Sequence, residues 1–180
     1  GLMDCKKALE GSNGDMDMAI EELRKTSGIK ASKKSGRSAA DGLIGIKSNG
    51  STSFMLEVNC ETDFVARDDS YIAFTSETLD IYSNNSDKSL EELLTDGIED
   101  SREKLVQKLG ENIVVRRVAK TDDSSVAGSY LHSNKKIGCI VSLDGGNEAL
   151  ANDMAMHAAA TDPMAVSPAD IPEEIIEKEK

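Results

Sequence analysis

Ser53-Phe54-Met55-Leu56-Glu57-Val58-Asn59-Cys60-Glu61-Thr62-Asp63-Phe64-Val65 changes period partway along. Phe54, Leu56 and Val58 recur at every second position, the spacing of a strand with one buried face, and Glu57 then falls on the solvent side. After Cys60 the alternation stops. Thr62 is a residue type that caps a helix start, and Asp63 would sit in the first turn, where the helix dipole favours a carboxylate. A strand that turns straight into a helix makes a rigid corner, with Asp63 and Phe64 pointing in different directions from it. Two readings fit the corner. Asp63 assists the cap while Phe64 packs in the core, or the pair is a probe that inserts a ring into a partner's pocket with a carboxylate beside it.

Working outward, Leu43 to Lys47 reads as a strand joined to 53–60 through the hairpin signal Ser48-Asn49-Gly50. Residues 69–82 read as a helix. Ser89 and Glu92 form a capping box for a helix running to Leu109, with Gly97 as its break or kink. Ile113 to Ala119, Tyr130 and Ile137 to Leu143 suggest further strands. Asn147 to Ala160 returns to helix, and Ser167-Pro168 opens a turn or short helix. This order predicts an α+β fold with an antiparallel sheet covered on one face. On the N-terminal side, residues 3–11 read as a short helix and Asn13-Gly14-Asp15 as a turn with a cap. Met16, Ala19, Ile20 and Leu23 mark one helical face that Ser27-Gly28 should end, with a third short helix over 29–38. So small a module has too few apolar residues to stand alone and needs the remainder of the protein or a partner.

Composition narrows the function. The chain has 180 residues, 33 acidic and 21 basic, a net charge of −12 and only six aromatic residues with no Trp. The core must be aliphatic. The negative charge argues against a broad nucleic-acid surface, and no apolar run approaches the roughly 20 residues of a membrane span. The charge is uneven. Arg24, Lys25, Lys30, Lys33, Lys34 and Arg37 give residues 24–37 a charge of +6, leaving −18 elsewhere. That segment reads either as a solvated helix end and linker or as a contact for an acidic partner.

Signals for covalent chemistry are weak. Cys5, Cys60 and Cys139 are odd in number and far apart, which suits a reducing compartment and a buried structural role for each thiol. With His132 and His157 they give no metal-ligand spacing. Glu173, Glu174, Glu177 and Glu179 read as a solvated helix. Gly145-Gly146 lacks the spacing of a dinucleotide loop, and no context assembles a nucleophilic triad. His157 lies on the stripe Leu150, Met154, His157, where a packed, hydrogen-bonded histidine is the ordinary expectation. Both ends read as cut: the chain opens almost directly in a helical pattern without an initiator Met and stops inside a charged helical run.

At the corner motif the chain resembles the translation elongation factor Ts family. Glu57-Val58-Asn59-Cys60-Glu61-Thr62-Asp63-Phe64-Val65-Ala66-Arg67 is similar to its second signature, and Gly1-Leu2-Met3-Asp4-Cys5-Lys6-Lys7-Ala8-Leu9 to its first. Gly110-Glu111-Asn112-Ile113 with Arg116-Arg117, Gly128-Ser129-Tyr130-Leu131-His132 and Ala155-Met156-His157-Ala158-Ala159 extend the match along the whole chain. The resemblance implies a three-helix, ubiquitin-associated-like domain over 1–37 and an antiparallel-sheet-and-helix core over 38–180, its second subdomain incomplete. It implies a guanine nucleotide exchange factor, not an enzyme, whose partner is elongation factor Tu, a GTPase carrying GDP or GTP with magnesium. A partner-binding fragment without full exchange activity is the alternative.

By the same resemblance Thr62, Asp63, Phe64 and Val65 form the partner-binding corner. Phe64 would occupy a hydrophobic pocket, and Asp63 would disturb the groups that hold the partner's magnesium. His157 and Met3 would meet the same GTPase domain. No cofactor, metal of its own, nucleic acid or membrane is implied. A bacterial-type cytoplasmic setting is expected, with organellar import left open.

Overall fold

The alternation of residues 53–60 builds the centre of the molecule. The computed structural model describes residues 2–49, 51–122 and 126–179. Strand β1 (Asp41–Asn49) and strand β2 (Thr52–Cys60) pair antiparallel with Asn49 opposite Thr52, so the hairpin forms where its turn signal stands; Gly50 itself lies outside the described residues. Strand β3 (Val114–Lys120) adds antiparallel to the other side of β2, giving the order β1-β2-β3. Phe54, Leu56, Val58 and Cys60 all point to one face and are buried there.

Helices cover that face. Helix α4 (Asp69–Asn84) lies against β1 and β2. Tyr82 meets Phe54 edge-on, with ring centroids 5.7 Å apart. The phenol of fully buried Tyr71 donates to the Val58 carbonyl at 2.6 Å, which satisfies the one polar atom that its burial brings inside. The next helical stretch begins with α5 (Leu90–Leu93), capped reciprocally by Ser89 and Glu92. A wide π turn over Leu94–Ile98 follows, then α6 (Glu99–Leu109). The expected break is at Gly97, whose φ of +106° is a conformation that only glycine adopts without strain. Leu93, Ile98, Val106 and Ile113 complete the core.

The opposite face of the three-stranded sheet is not left to water, contrary to the expectation of one covered face. Strands β4 (Val126–Leu131) and β5 (Gly138–Leu143) form a separate two-stranded antiparallel sheet, carried by helix α7 (Glu148–Thr161). This unit reaches back to β1. The Ile44 amide donates to the Lys135 carbonyl at 2.7 Å, Lys136 pairs with Asp41 at 2.8 Å, and a Cβ on Gly138 would lie 3.0 Å from Ile44. The cause is in β1 itself. Leu43 turns toward the helices while Ile44 and Ile46 turn the other way, so both faces of the strand are apolar and both require cover.

Helix α1 (Leu2–Gly11) and helix α2 (Met16–Lys34) form the N-terminal region, joined by Asn13 and Gly14 at positive φ, with Asp15 capping α2. Gly28 does not end α2, so the third short helix expected over 29–38 is instead the last part of one continuous helix. The buried face also differs. Of the expected face Ala19 is buried and Leu23 half-buried, but Met16 and Ile20 are exposed, and Ser27 and Ala31 are buried in their place. These small residues let α2 approach α6 closely, and a Cβ on Gly28 would lie 3.1 Å from the Glu103 carboxylate, which would have to shift slightly. Tertiary packing thus overrides the weak helix propensity of glycine. Four of the six basic residues of 24–37 are engaged within the chain. Arg24 pairs with Asp100, Lys30 with Asp4, Arg37 with Glu61, and Lys34 donates to the Gly110 carbonyl. After α7 a 3₁₀ turn (Pro168–Asp170) and helix α8 (Glu173–Glu179) complete the described chain; the acid run lies on α8, and Lys180 is outside the described residues. No helix among the described residues is long and apolar enough to cross a membrane.

Candidate functional site

The corner forms as its sequence predicts. Cys60 ends β2, Thr62 is the cap, and a single helical turn, α3 (Asp63–Ala66), follows at once. Val65 and Ala66 turn inward and are buried, rooting the turn in the core. Asp63 and Phe64 turn outward. Phe64 is 81% exposed, which removes the reading of it as a core residue. Phe54, Phe74, Tyr71 and Tyr82 are all buried, so a chain short of aromatic rings leaves one of them in water. Burying such a ring contributes about 1.5–3 kcal/mol, and here that contribution is forgone. Beside it, Asp63 pairs with Arg67 at 2.8 Å across one turn.

The corner rests on a foundation that lies far away in the chain. The Glu111 carboxylate accepts from the Glu61 amide at 3.0 Å, the Thr62 amide at 2.9 Å and the Thr62 hydroxyl at 2.6 Å. Next to it the Asn112 amide donates to the Glu61 carboxylate at 2.6 Å, and the buried Asn112 side chain donates to the Arg37 carbonyl at 2.9 Å. Beneath the corner, the buried Cys60 thiol donates to the Thr62 carbonyl at 3.2 Å, and burial pushes its pKa up to about 11. It is a neutral packing group. Glu111 and Asn112 stand out in the sequence only as part of the stretch Gly110-Glu111-Asn112-Ile113 that extends the resemblance; the turn at Gly110 brings the end of α6 next to the end of β2.

The other candidate residues stand on other elements. His157 is exposed on α7 with Leu150 and Met154, while Ala151 and Ala155 form the buried face; it is therefore not the packed histidine expected of that stripe. Met3 is exposed on α1, whose partner is α2, and Gly1 of the opening motif lies outside the described residues. Of the six candidates, the structure gathers Thr62, Asp63, Phe64 and Val65 in one place and sets Met3 and His157 apart. The thiols divide similarly. Cys60 is buried, Cys139 is half-buried and Cys5 is exposed, so a buried role holds for Cys60 alone.

Glu57 is less solvated than its place in the alternation suggests. A bulge in β3 sets Glu57 opposite Arg117 and Val58 opposite Val115, so Arg116 is an extra residue. Both arginines consequently reach one carboxylate, Arg117 at 2.5 Å and Arg116 at 3.9 Å. Among the described residues no three His, Cys, Asp or Glu side chains come together as a metal site.

Residues 61–180 match the family model described as elongation factor TS. A protein described as elongation factor Ts from Marinobacter nauticus is 49% identical over 182 residues, covering the whole of this chain and 63% of that relative. One of the same description from Saccharophagus degradans is 49% identical over 183 residues, with the same coverage. One from Arthrospira platensis is 45% identical over 188 residues and is covered to 76%. The chain thus spans a little under two thirds of the length of the first two relatives.

Proposed function

The chain belongs to the elongation factor Ts family, and on that premise we propose that it is a guanine nucleotide exchange factor for elongation factor Tu, binding the GTPase domain and promoting GDP release during translation elongation. The observation that carries the reading is Phe64, an exposed ring on a corner whose neighbours Val65 and Ala66 are buried. In this reading Phe64 enters a hydrophobic pocket of the GTPase domain, and Thr62 and Val65 hold the turn that presents it. Asp63 competes for the groups that hold magnesium. His157 and Met3 make separate contacts, and residues 1–37 act as a helical module of ubiquitin-associated type beside a core over 38–180.

No covalent step is required of this chain. It binds the conformation of its partner in which phosphate and magnesium contacts are weakened. By linkage, whatever factor binding costs GDP affinity, GDP binding costs factor affinity equally. A 100-fold fall in GDP affinity is a coupling of about 2.7 kcal/mol. GTP then fills the emptied site and displaces the factor, and the supply of GTP over GDP sets the direction.

Phe64→Ala should keep the circular dichroism of the parent and slow stopped-flow GDP release from the partner by about 30-fold, as loss of an anchor worth about 2 kcal/mol would. Normal release by a folded variant would remove Phe64 from the role. A second reading, binding without full exchange, rests on the chain's spanning 63% of a relative's length. Under it, the partner is retained in a pull-down while GDP release is not accelerated.

A further inference from the structure

We propose that Glu111 is the positioning residue of the corner: its carboxylate, rather than the turn's own hydrogen bonds, fixes the direction in which Phe64 is presented. This deepens the exchange-factor reading and rests on it for the functional half of the argument.

Val65 and Ala66 root the turn in the core, but its own hydrogen bonds do little to set the direction of Phe64. The turn is four residues long, and helix nucleation is unfavourable because several residues must be fixed for each bond formed. Its cap bond, from the Val65 amide to the Thr62 hydroxyl, is long at 3.5 Å. Its backbone bonds, Ala66 to Thr62, Arg67 to Phe64 and Asp68 to Val65, are 3.2, 3.2 and 3.0 Å. The three bonds that Glu111 accepts are as short or shorter, from 2.6 to 3.0 Å, and carry the added strength of a charged acceptor. They act at the right place. By taking the amides of Glu61 and Thr62, Glu111 sets the exit of the chain from β2, and by taking the Thr62 hydroxyl proton it orients that oxygen's lone pair toward the cap. Two residues later stands Phe64.

Glu111 is itself held. It follows Gly110, the left-handed residue that closes α6, and precedes Asn112, which is buried and bonded to the end of the N-terminal region. The ring is thus aimed from the C-terminal end of α6, 49 residues along the chain from Thr62.

The chain contains no Trp, so Phe64→Trp places its one Trp, excited selectively at the red edge beyond the tyrosines, at the tip of the corner. In that background, Glu111→Ala should convert slowly decaying Trp anisotropy into a largely fast decay, with unchanged far-UV circular dichroism. Glu111→Gln, whose amide oxygen can still accept from the two backbone amides, should restore most of the slow component. In the native background, Glu111→Ala should slow GDP release about ten-fold, within the range that misplacing a positioned group causes. The double variant with Phe64→Ala should be no slower than Phe64→Ala alone. Unchanged anisotropy in a folded Glu111→Ala variant overturns the proposal whatever the release rates are. So does a double variant slower than both single ones, since Glu111 would then act elsewhere. Normal release by Phe64→Ala with lost anisotropy on Glu111→Ala defeats the exchange reading and leaves the positioning intact. If Glu111→Ala unfolds, Glu111→Gln and Glu111→Asp carry the anisotropy comparison, and anisotropy equal to that of the parent in both overturns it.

Discussion

The N-terminal helices and the sheet core are stabilised by different means. In the core, Leu56, Val58, Val106 and Ile113 are fully buried, and large side chains fill the space between β2 and the helices. Helices α1 and α2 bury only Ala8, Ala19, Ser27 and Ala31, while Leu2, Met3, Met16, Met18, Ile20 and Ile29 remain exposed. What fastens α2 to α6 is polar: Arg24 to Asp100, Ser27 to Gln107, and Lys34 to the Gly110 carbonyl. A region docked by small residues and surface ion pairs has a shallow stability and a salt dependence that the core, aliphatic and aromatic together, lacks.

Three substitutions test that contrast. Leu56→Ala, in the central strand, should cost about 2–5 kcal/mol, read from the urea midpoint, because the cavity forms where no neighbour can readily relax into it. A cost below 1 kcal/mol would show that the core is looser than its burial indicates. Gly28→Ala should stabilise α2 by up to about 1 kcal/mol through helix propensity, since the three atoms nearest a new Cβ all belong to the movable carboxylate of Glu103. Faster amide exchange along α2 in that variant would instead mean that the helix breaks there. Arg24→Ala should cost less than about 1 kcal/mol, and the cost should shrink as salt is raised. A salt-independent loss equal to that of Leu56→Ala would erase the distinction between the regions.

Local chemistry made much of this legible in advance. The hairpin, the Ser89–Glu92 box, the break at Gly97 and the Thr62 cap each depend on residues within a few positions of one another. The failures are long-range. Gly28 stays helical because α6 packs beside it, and the basic segment finds its partners at Asp100, Glu61 and Gly110, none of them near in sequence. Ile44 and Ile46 make the second face of β1 apolar, and what covers it comes from Lys135 to Gly138, far along the chain. The candidate site divides along the same line. Thr62 to Val65 could be found from their own order, whereas Glu111 supports them from 49 residues away, and no spacing rule joins a loop after α6 to the end of a strand.

Gly128 on β4 leaves no side chain between that strand and α7: a Cβ there would fall 2.2 Å from the Ala151 carbonyl carbon. Two backbones in direct contact have no rotamers to absorb a load. Strand and helix therefore keep a spacing set by the main chain alone, as in a bearing without a cushion.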